Sequence, residues 1–438
     1  MTKLYAGAKI QTLRRELELT QGEMARRIDI STSYLNQLEN DQRPLTVSVL
    51  LQLTNVFQLS PTFFSPDEDQ RVVNELSELL PRIPQPQLHE FAQRFPDIAN
   101  TLRALPSPET ADPEHPHALV REFFQNHKNY FHELDVAAEQ LAAHTANRQL
   151  RLTRLAATFD REYGIQVRFN QYAHGPRSTL QHNQREIRLR TGLTEAQQCF
   201  ELAYHYGRTA FAALIDEYVR DTFNEATQPE PVQLARHGLA QYFAAAVTMP
   251  YAELLQAAEE TRYDIDVISA RFGTGFESTC QRLATLQRPG AEAIPFVFVR
   301  TDRAGNISKR QSSTAFHFSR HGGGCPLWVV HRAFETSNRV TRQVAVMPDG
   351  RTYLWIARMV QGPVVGFDSP RREHAVVLGC DIAFAQRMIY ADGLNISPES
   401  ATKIGPGCAT CPRTSCPQRA FPGPPGSGPS PSSSPDRT

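Results

Sequence analysis

The spacing of apolar residues divides the chain into a helical part and a sheet part. In the helical part apolar residues recur at every third or fourth position, which is the period of an amphipathic helix. After about residue 290 the apolar runs become short or alternate with polar residues, as they do in strands. The helical segments are 21–28, 34–38, 119–145, 151–165, 193–215 and 234–260, and the strand segments are 294–300, 314–319, 326–331, 342–347, 351–360 and 374–380. We therefore expect an α+β, multidomain fold with an all-α N-terminal head, a mostly helical middle domain and a C-terminal antiparallel sheet.

Local signals add detail to the C-terminal half. Asp349 and Gly350 separate RQVAVM from RTYLWIARMV, and Asp-Gly between two apolar runs predicts a hairpin turn. The segment DIAFAQRMIYADG, 381–393, is expected to follow the last strand as a helix. From about residue 422 the chain is rich in Pro, Gly and Ser, a composition that predicts a disordered tail.

Residues 20–40, TQGEMARRIDISTSYLNQLEN, carry the pattern of two short helices joined by a tight turn. Thr20 and Glu23 form a capping box that starts the first helix, and Ser31 caps the second. Asp29 falls at the turn, where a short polar side chain tolerates a left-handed backbone. The positions predicted to pack inward are Met24, Ala25, Ile28, Tyr34, Leu35 and Leu38.

This arrangement predicts a helix-turn-helix that enters the major groove of double-stranded DNA. Short hydrogen-bonding side chains remain on the outer face of the second helix, where such groups can read base edges. Gln21 is placed to hold a phosphate through its amide and the helix end. The predicted DNA-binding residues are Gln21, Thr32, Ser33, Tyr34, Asn36, Gln37, Asn40 and Arg43.

With flanking helices at 9–17 and 46–57, the segment resembles the five-helix Cro/repressor-like (XRE) domain. A helical bundle that binds protein is the alternative. The first sixty or so residues hold nearly as many acids as bases, so one copy should be attracted to DNA only modestly. A homodimer or higher homo-oligomer is therefore expected.

Composition sets the remaining limits. A chain of 438 residues predicts roughly two to four domains. Lys and Arg number 46, as do Asp and Glu, which excludes a basic-tail nucleic-acid binder. No opening run resembles a signal peptide and no stretch of about 18 apolar residues occurs, so we expect a cytoplasmic protein with no membrane partner. Seven cysteines without an export signal favour thiol chemistry or metal binding over disulfides.

A cysteine cluster is the first candidate site outside the head. Cys408, Cys411 and Cys416 form CATCPRTSC, and the two-residue gap in the first pair lets two thiolates bind one metal. Cys380 is the preferred fourth ligand, and four cysteines suit a 4Fe-4S cluster or a tetrahedral zinc. The alternatives are Cys325 as the fourth ligand, His321 or His374 in a zinc site, and thiols clustered by chance. Cys199 and Cys280 lie in helical patterns and are expected to be small buried residues.

The segment CFELAYHYG resembles the position where metallopeptidases of the ImmA/IrrE type carry HExxH. Here Phe200 and Tyr204 occupy the positions of the two zinc-binding histidines, whereas Glu201 is retained. His205, one place late, is expected to point to another helix face and to be a surface or packing residue. We therefore predict no catalytic residues, no peptidase zinc site and no enzyme activity.

Three longer strings extend the resemblance to the whole chain. They are TRYDIDVISARFGTGFESTCQRLATLQRPG, IPFVFVRTDRAGNISKRQSSTAFHFSRHGGGCPLW, and LGCDIAFAQRMIYADGL with GCATCPRTSCPQRAFP. From about Tyr5 to Pro422 the chain resembles the short-chain fatty acid (acyl-CoA responsive) XRE regulators of actinobacteria and proteobacteria. Two positions depart from the family: Gly is common where Asp29 stands, and Gly or Val often replaces Pro406-Gly407.

The resemblance implies a DNA-binding head, a catalytically inactive peptidase-like domain and a C-terminal sensor domain that binds coenzyme A or a short acyl-CoA. Such regulators act on genes of acetate, propionate or glyoxylate metabolism. Some members are thought to hold an iron-sulfur cluster on cysteines that match 380, 408, 411 and 416.

A polyanionic coenzyme needs fixed cations and backbone donors, and the sensor half offers both. Lys309 and Arg310 supply the cations, and Tyr251 is a candidate to stack on the nucleotide or bond to it. The predicted backbone donors are Gly322, Gly323 and Gly324. The alternatives are surface charges, a turn that needs glycine and a core tyrosine. Likewise RFGTGFESTCQRL is either a second DNA-binding unit or, as we prefer, a packing segment.

We therefore predict a transcription factor with five segments: an XRE-type head (1–66), a helical, Pro-rich linker (67–117), a degenerate peptidase-like domain (118–290), an acyl-CoA sensor domain with the cysteine cluster (291–421) and a tail (422–438). The prolines between 81 and 116 are expected to act as the hinge that transmits the signal. A redox or iron sensor without a small-molecule ligand is the first alternative, and a metallopeptidase is the second and less favoured one.

Overall fold

The computed structural model describes residues 6–57 except 18, 72–104 except 74, 78, 81–82 and 84, 116–143, 150–170, 175–314, 316, 324–336, 338–362, 367–368, 371–408 and 410–420. Contacts divide the chain into two units, one drawn from 1–113, 315–325 and 405–438, the other from 114–314 and 326–404. The predicted tail at 422–438 lies outside the described residues. No helix within these ranges is long and apolar enough to cross a membrane.

The head of the first unit contains four described helices: α1 (Gly7–Glu16), α2 (Gln21–Arg27), α3 (Thr32–Glu39) and α4 (Val47–Val56). Thr20 and Glu23 form the predicted capping box at the start of α2, and the Ser31 hydroxyl accepts from Tyr34 N at the start of α3. Asp29 has φ 51°, the left-handed backbone predicted for the turn. The buried core residues are Ile10, Leu13, Met24, Ala25, Ile28, Leu35, Leu38, Leu45, Val49 and Leu53.

Two further helices occupy the region predicted as a proline hinge. They are α5 (Gln85–Arg94) and α6 (Pro96–Ala104), and they enclose a small core with Leu88, Ala92 and Ala99. Pro86 is the second residue of α5 and Pro96 is the first of α6. At these places a missing N–H costs nothing and the fixed φ favours the helix. Pro86 and Pro96 therefore lie at helix starts, and the predicted hinge between 81 and 116 stays a prediction.

The second unit begins with helices around a small sheet. The helices are α7 (Pro116–Asn126), α8 (His132–Ala143), α9 (Arg151–Tyr163), α10 (Glu195–Ala210), α11 (Ala212–Arg220) and α12 (Pro229–Thr248). The strands are β1 (Gln166–Asn170), β2 (Ser178–Gln181) and β3 (Glu186–Arg190), in the order β1-β3-β2. The sequence did not predict this sheet, because its strands are four or five residues long and mostly polar.

The same unit ends in three helices packed on a larger sheet. The helices are α13 (Tyr251–Glu260), α14 (Ile265–Phe272) and α15 (Phe276–Leu283). The strands are β4 (Phe296–Thr301), β5 (Ile307–Ser312), β6 (Thr341–Val346), β7 (Thr352–Gln361), β8 (Glu373–Asp381) and β9 (Thr402–Lys403), in the order β5-β4-β8-β7-β6-β9. All neighbours are antiparallel except β6 and β9. Phe272, Phe276 and Leu283 are buried, which confirms the packing interpretation of RFGTGFESTCQRL.

Details of the C-terminal half differ from the sequence prediction. The Asp349-Gly350 turn is confirmed, with Gly350 at φ 88° and Met347 N bonded to Arg351 O at 2.8 Å. PLWVVH is not a strand but a turn that leads into a 3-10 helix, Arg332–Phe334. The predicted helix at 381–393 consists of two 3-10 helices, Ile382–Arg387 and Ile389–Ala391. TAFHFS lies mostly outside the described residues.

A buried ion pair joins the helices of this unit to the part that carries the larger sheet. Arg282 of α15 donates to both carboxylate oxygens of Asp135 on α8, at 2.8 and 3.1 Å, and both side chains are 0% exposed. The Tyr242 hydroxyl also donates to Asp135. Arg282 further donates to Met249 O and Thr285 Oγ1, so both buried charges are compensated.

Asp135→Asn should lower the free energy of unfolding of this unit by about 3–5 kcal/mol, because the Arg282 cation stays buried without its counter-charge. Urea denaturation followed by tryptophan fluorescence tests this, since both tryptophans, Trp328 and Trp355, lie in the same unit. Arg271→Gln is the control: it breaks a surface ion pair with Glu260 and should cost less than about 1 kcal/mol. Equal losses for the two variants would contradict this account.

Candidate DNA-binding and ligand-binding sites

The α3 helix presents the predicted DNA-reading residues on one face. Thr32, Ser33, Asn36 and Asn40 are exposed and Gln37 is half-buried. Tyr34 packs partly on the head core, and the Arg43 guanidinium lies 5.7 Å from the centre of its ring. Asn40 Nδ2 donates to Asn36 O at 2.8 Å, which holds one of these side chains along the helix. This face of α3 therefore carries short polar side chains and no acidic ones, as contact with base edges requires.

A buried carboxylate fixes this helix against α1 and α2. Glu39, 1% exposed, accepts from Arg14 Nε at 2.6 Å and from Arg14 Nη2 at 3.1 Å, and this hydrogen bond raises the pKa of Arg14. Gln21 Nε2 donates to Glu39 at 2.7 Å and to Asn36 Oδ1 at 3.3 Å. Both amide protons of Gln21 are thus used within the protein, and the predicted phosphate contact through that amide would require them to be released. The sequence analysis did not predict the role of Glu39, although this residue lies on the inner face of α3, four positions after Leu35.

In the second unit, α10 carries the segment 200–204, which corresponds to HExxH in the metallopeptidases. A different polar cluster lies there. Ser178 on β2 donates to Glu201 Oε2 at 2.5 Å, and its Oγ is 2.9 Å from His205 Nε2. Glu201 and His205 therefore share one face of α10, and His205 is buried in a polar contact. His205 lies one turn from Glu201 and therefore off the face of Phe200 and Tyr204, and its burial agrees with the predicted packing histidine. Phe200 and Tyr204 pack on the neighbouring core.

A second polar chain runs from α10 to α12. Arg208 Nη1 donates to the Tyr204 hydroxyl at 3.3 Å, and that hydroxyl lies 2.8 Å from His237 Nδ1. His237 Nε2 is 2.9 Å from Gln241 Nε2. Burial, followed by the charges of Arg208 and Lys309, lowers the pKa of His237, so this imidazole is neutral near pH 7. Sequence reasoning missed this chain because its members are 33 positions apart.

The predicted ligand residues fall in different environments. Lys309 lies on the edge strand β5, where its Nζ donates to Gln281 Oε1 at 2.7 Å and burial lowers its pKa to about 8. Arg310 is half-buried opposite Val299. Gly324 is half-buried, whereas Gly322 and Gly323 lie outside the described residues.

Tyr251 belongs to the core rather than to an open site. It is 1% exposed, its hydroxyl donates to Ala291 O at 2.9 Å, and the same oxygen accepts from Arg288 N at 2.8 Å. The Arg288 guanidinium covers its ring at 4.1 Å from the centre. In this conformation Tyr251 cannot stack on a nucleotide, which corrects the sequence expectation.

The predicted metal-binding cysteines also differ in environment. Cys408 and Cys416 are half-buried and Cys411 is buried. Arg419 organises their loop by donating to Cys408 O at 3.4 Å and Cys411 O at 2.9 Å. In the described part of the chain, no group of three or more His, Cys, Asp and Glu residues could hold a metal.

Cys380, the preferred fourth ligand, is fully buried on β8 with its Sγ 3.5 Å from Met388 Sδ. Burial raises the pKa of its thiol well above the ordinary value. Cys325, the alternative, is buried and belongs to the same unit as the three clustered cysteines, whereas Cys380 belongs to the other. His374 is half-buried on β8, and His321 lies outside the described residues. Cys199 and Cys280 are buried core residues, as predicted.

Three stretches of the chain match known sequence families. Residues 10–64 match a helix-turn-helix family, residues 160–284 match the IrrE N-terminal-like domain, and residues 285–425 match the C-terminal region of the short-chain fatty acyl coenzyme A regulators. A solved structure of a Mycobacterium tuberculosis transcriptional regulator has a TM-score of 0.67 and 44% sequence identity, over 70% of this chain and 94% of that chain.

The chain also matches several relatives over almost its whole length. The chain is 43% identical to the HTH-type transcriptional regulator PrpR of Mycobacterium tuberculosis (strain ATCC 25618 / H37Rv), over 96% of this chain and 92% of that protein. It is 39% identical to the HTH-type transcriptional regulator RamB of Mycobacterium tuberculosis (strain CDC 1551 / Oshkosh), over 96% and 95%. It is 37% identical to the propionyl-CoA carboxylase regulator of Cereibacter sphaeroides, again over 96% and 95%.

Glu39→Ala should loosen the head, because Arg14 and Gln21 lose their shared acceptor at a buried position. We expect the opening free energy of α3 to fall by about 1–3 kcal/mol, measured by amide hydrogen exchange in the full chain. Asn40→Ala removes only exposed bonds to Asn36 and serves as the control, with unchanged exchange. If α3 exchanges at the same rate in all three proteins, Glu39 does not hold the helix.

Proposed function

Because the chain belongs to the short-chain fatty acyl coenzyme A regulators, a family of helix-turn-helix transcription factors, we propose that binding of coenzyme A or a short acyl-CoA alters its affinity for an operator. The chain is a DNA-binding regulator of short-chain fatty acid metabolism and not an enzyme, since its full-length relatives are transcriptional regulators. The observation that carries the proposal is the succession of a DNA-binding head and an acyl-CoA regulator domain on one chain.

Genes of acetate, propionate or glyoxylate metabolism are the proposed targets. One relative is named for the regulation of propionyl-CoA carboxylase, which supports propionate among the three. The residues proposed to read the operator are Thr32, Ser33, Tyr34, Asn36, Gln37, Asn40 and Arg43, with Gln21 positioning the helices. A homodimer is proposed because residues 1–66 hold seven bases and six acids, so one head attracts DNA weakly.

Lys309 supports an anionic ligand in the second unit. Burial desolvates its ammonium group, which donates to the neutral Gln281 amide at 2.7 Å and is also affected by the charge of Glu277. Glu277 is already paired with Arg300 at 2.9 Å, so the two cations share one carboxylate, and a phosphate oxygen would supply a second counter-charge. The charges of Arg208 and Lys309 both act on His237, so the polar chain on α10 and α12 adds cationic potential to the same region. Arg310, next to Lys309 on β5, completes the proposed ligand group within this unit. Gly324, predicted with it, belongs to the other unit, and Tyr251 would have to leave its core position to join the group.

Titration of the full chain with coenzyme A, acetyl-CoA and propionyl-CoA by calorimetry tests the ligand site. Lys309→Met should weaken binding about tenfold or more at pH 7, because a charge-assisted hydrogen bond is lost. Arg271→Met, which removes a surface cation, should not change the affinity. Unchanged affinity for Lys309→Met would remove Lys309 from the site, and no binding of any coenzyme would contradict the proposed function.

The pH dependence of binding gives an independent check. Since burial lowers the pKa of Lys309 to about 8, the ammonium is present at pH 7 and is lost as the pH rises through that value. Affinity for the anionic ligand should therefore fall between pH 7 and pH 9 in the wild type. The Lys309→Met variant should show no step in this window, and a step of equal size in both proteins would assign it to another group.

Metal binding by the cysteine loop is a further part of the proposal. Cys408, Cys411 and Cys416 lie in one short segment, two of them half-buried and Cys411 buried, and cysteine sulfurs suit an iron-sulfur cluster or zinc. Cys380 does not fit the group as it stands, because its sulfur contacts Met388 within the core. Cys325 is then the alternative fourth ligand. A bound iron-sulfur cluster would let the protein sense redox state, whereas a bound zinc ion would stabilise the loop.

Anaerobic purification with iron, zinc and sulfide analysis tests this part. Paired Cys408→Ser and Cys411→Ser changes should remove the bound metal, whereas Cys199→Ser, at a buried core position, should retain it. Loss of metal from Cys325→Ser but not from Cys380→Ser would identify the fourth ligand, and the reverse result would restore Cys380. A protein free of iron and zinc would contradict metal binding, and iron without acyl-CoA affinity would favour a pure redox sensor.

Transmission between ligand and DNA requires that the ligand prefer one arrangement of the chain. The stretch from 81 to 116 is proposed to carry that change, through the helices α5 and α6 rather than through a flexible proline hinge.

A further inference from the structure

The small sheet of the second unit lies in a stretch of the chain with a clear excess of arginine. Residues 151–190 contain eight arginines, no lysine and three acidic residues, whereas the whole chain has 46 bases and 46 acids. Neither the DNA-reading helix nor the proposed ligand residues lie in this stretch. The DNA-reading helix and the proposed ligand site therefore do not explain this local excess of arginine.

The strand register collects four of these arginines on one face of the sheet. Ile187 and Leu189 of β3 are fully buried, so the alternating residues Arg188 and Arg190 point to the opposite face. Arg168 of β1 lies beside Arg188 in the parallel pair, and Arg190 N donates to Arg177 O at 2.9 Å across the antiparallel side. We call Arg168, Arg177, Arg188 and Arg190 the arginine face.

The arginine face has far more positive than negative charge. Glu186 is its only acid in the described part of the sheet, and two guanidiniums share it: Arg168 at 2.9 Å and Arg188 at 3.2 Å. Their side chains remain 62% and 40% exposed. Arg190 is held by Gly175 O at 3.2 Å, and Arg177 is exposed. Four cations against one carboxylate, all of them at least partly accessible to solvent, form an anion-binding face.

We propose that the arginine face binds the phosphate backbone of double-stranded DNA outside the bases read by the head. Arginine presents a planar fork that matches phosphate oxygens, and contacts of this kind position a protein on DNA without reading sequence. The chain is a DNA-binding regulator whose head is nearly neutral, with seven bases and six acids in residues 1–66. The arginine face supplies the electrostatic attraction that the head lacks.

Salt dependence of DNA binding by the full chain tests the proposal directly. The probe is a fluorescent 40-base-pair duplex of mixed sequence, titrated between 50 and 200 mM salt. The triple change Arg168→Gln, Arg188→Gln and Arg190→Gln should lower the slope of log affinity against log salt by about 2–3, since each phosphate contact contributes about 0.9. Affinity at 100 mM salt should fall at least tenfold.

A matched control carries the same change in net charge elsewhere. Arg220, Arg271 and Arg303 are exposed arginines of the same unit that lie away from the small sheet, and their joint replacement by Gln should leave the slope unchanged. Equal slopes for the two triple variants would overturn the proposal. So would loss of binding to phosphatidylglycerol vesicles with an unchanged DNA slope, because the face would then be a membrane surface.

A substitution that is expected to strengthen DNA binding separates the proposal from misfolding, which can only weaken binding. Glu186→Gln removes the one acid of the face and should strengthen binding to the same duplex several-fold, which a damaged fold cannot do. The single change Arg168→Gln, at an exposed position on an edge strand, should reduce the slope by about 0.9 even if the triple variant fails to fold. Weaker binding by Glu186→Gln would contradict the assignment.

Discussion

The buried pair between Asp135 and Arg282 is the constraint on which the second unit depends. Two desolvated charges are tolerated only in a geometry that satisfies every donor and acceptor, so the pair fixes the distance and the angle between α8 and α15. The same helix, α15, carries Glu277, which binds Arg300 at 2.9 Å, and Gln281, which binds Lys309 at 2.7 Å. One ion pair therefore determines where two strands of the larger sheet present their cations.

The peptidase-like domain keeps the helix at the HExxH position but not the zinc-binding residues. The helix that would carry HExxH keeps Glu201, but Phe200 and Tyr204 stand in place of the zinc-binding histidines and pack on the core. The Ser178 hydroxyl lies between Glu201 and His205 and bonds to both. Tyr204 and His237 form a second polar chain beside them. The polar side chains at and beside the HExxH position are thus hydrogen-bonded to one another.

Sequence patterns predicted the parts of the fold that local interactions determine. The capping box at Thr20, the cap at Ser31 and the left-handed Asp29 each depend on residues within three positions, and all three are confirmed. The small sheet was missed because its pairing joins short polar strands through long-range contacts. Glu39 was missed, and Tyr251 was assigned to the ligand group with a core position as the alternative, for a related reason. Burial depends on the partners that tertiary packing supplies, and these are Arg14 on another helix and Arg288 from a later loop.

The central claim is that one chain couples a coenzyme ligand to DNA, and coupling of two binding equilibria is reciprocal. The most direct measurement is the affinity of the full chain for propionyl-CoA in the absence and in the presence of saturating operator duplex, compared with its affinity for the operator with and without the coenzyme. The account predicts that the two affinities change by the same factor, about 5-fold or more. Independent binding, with neither affinity altered by the other ligand, would contradict it.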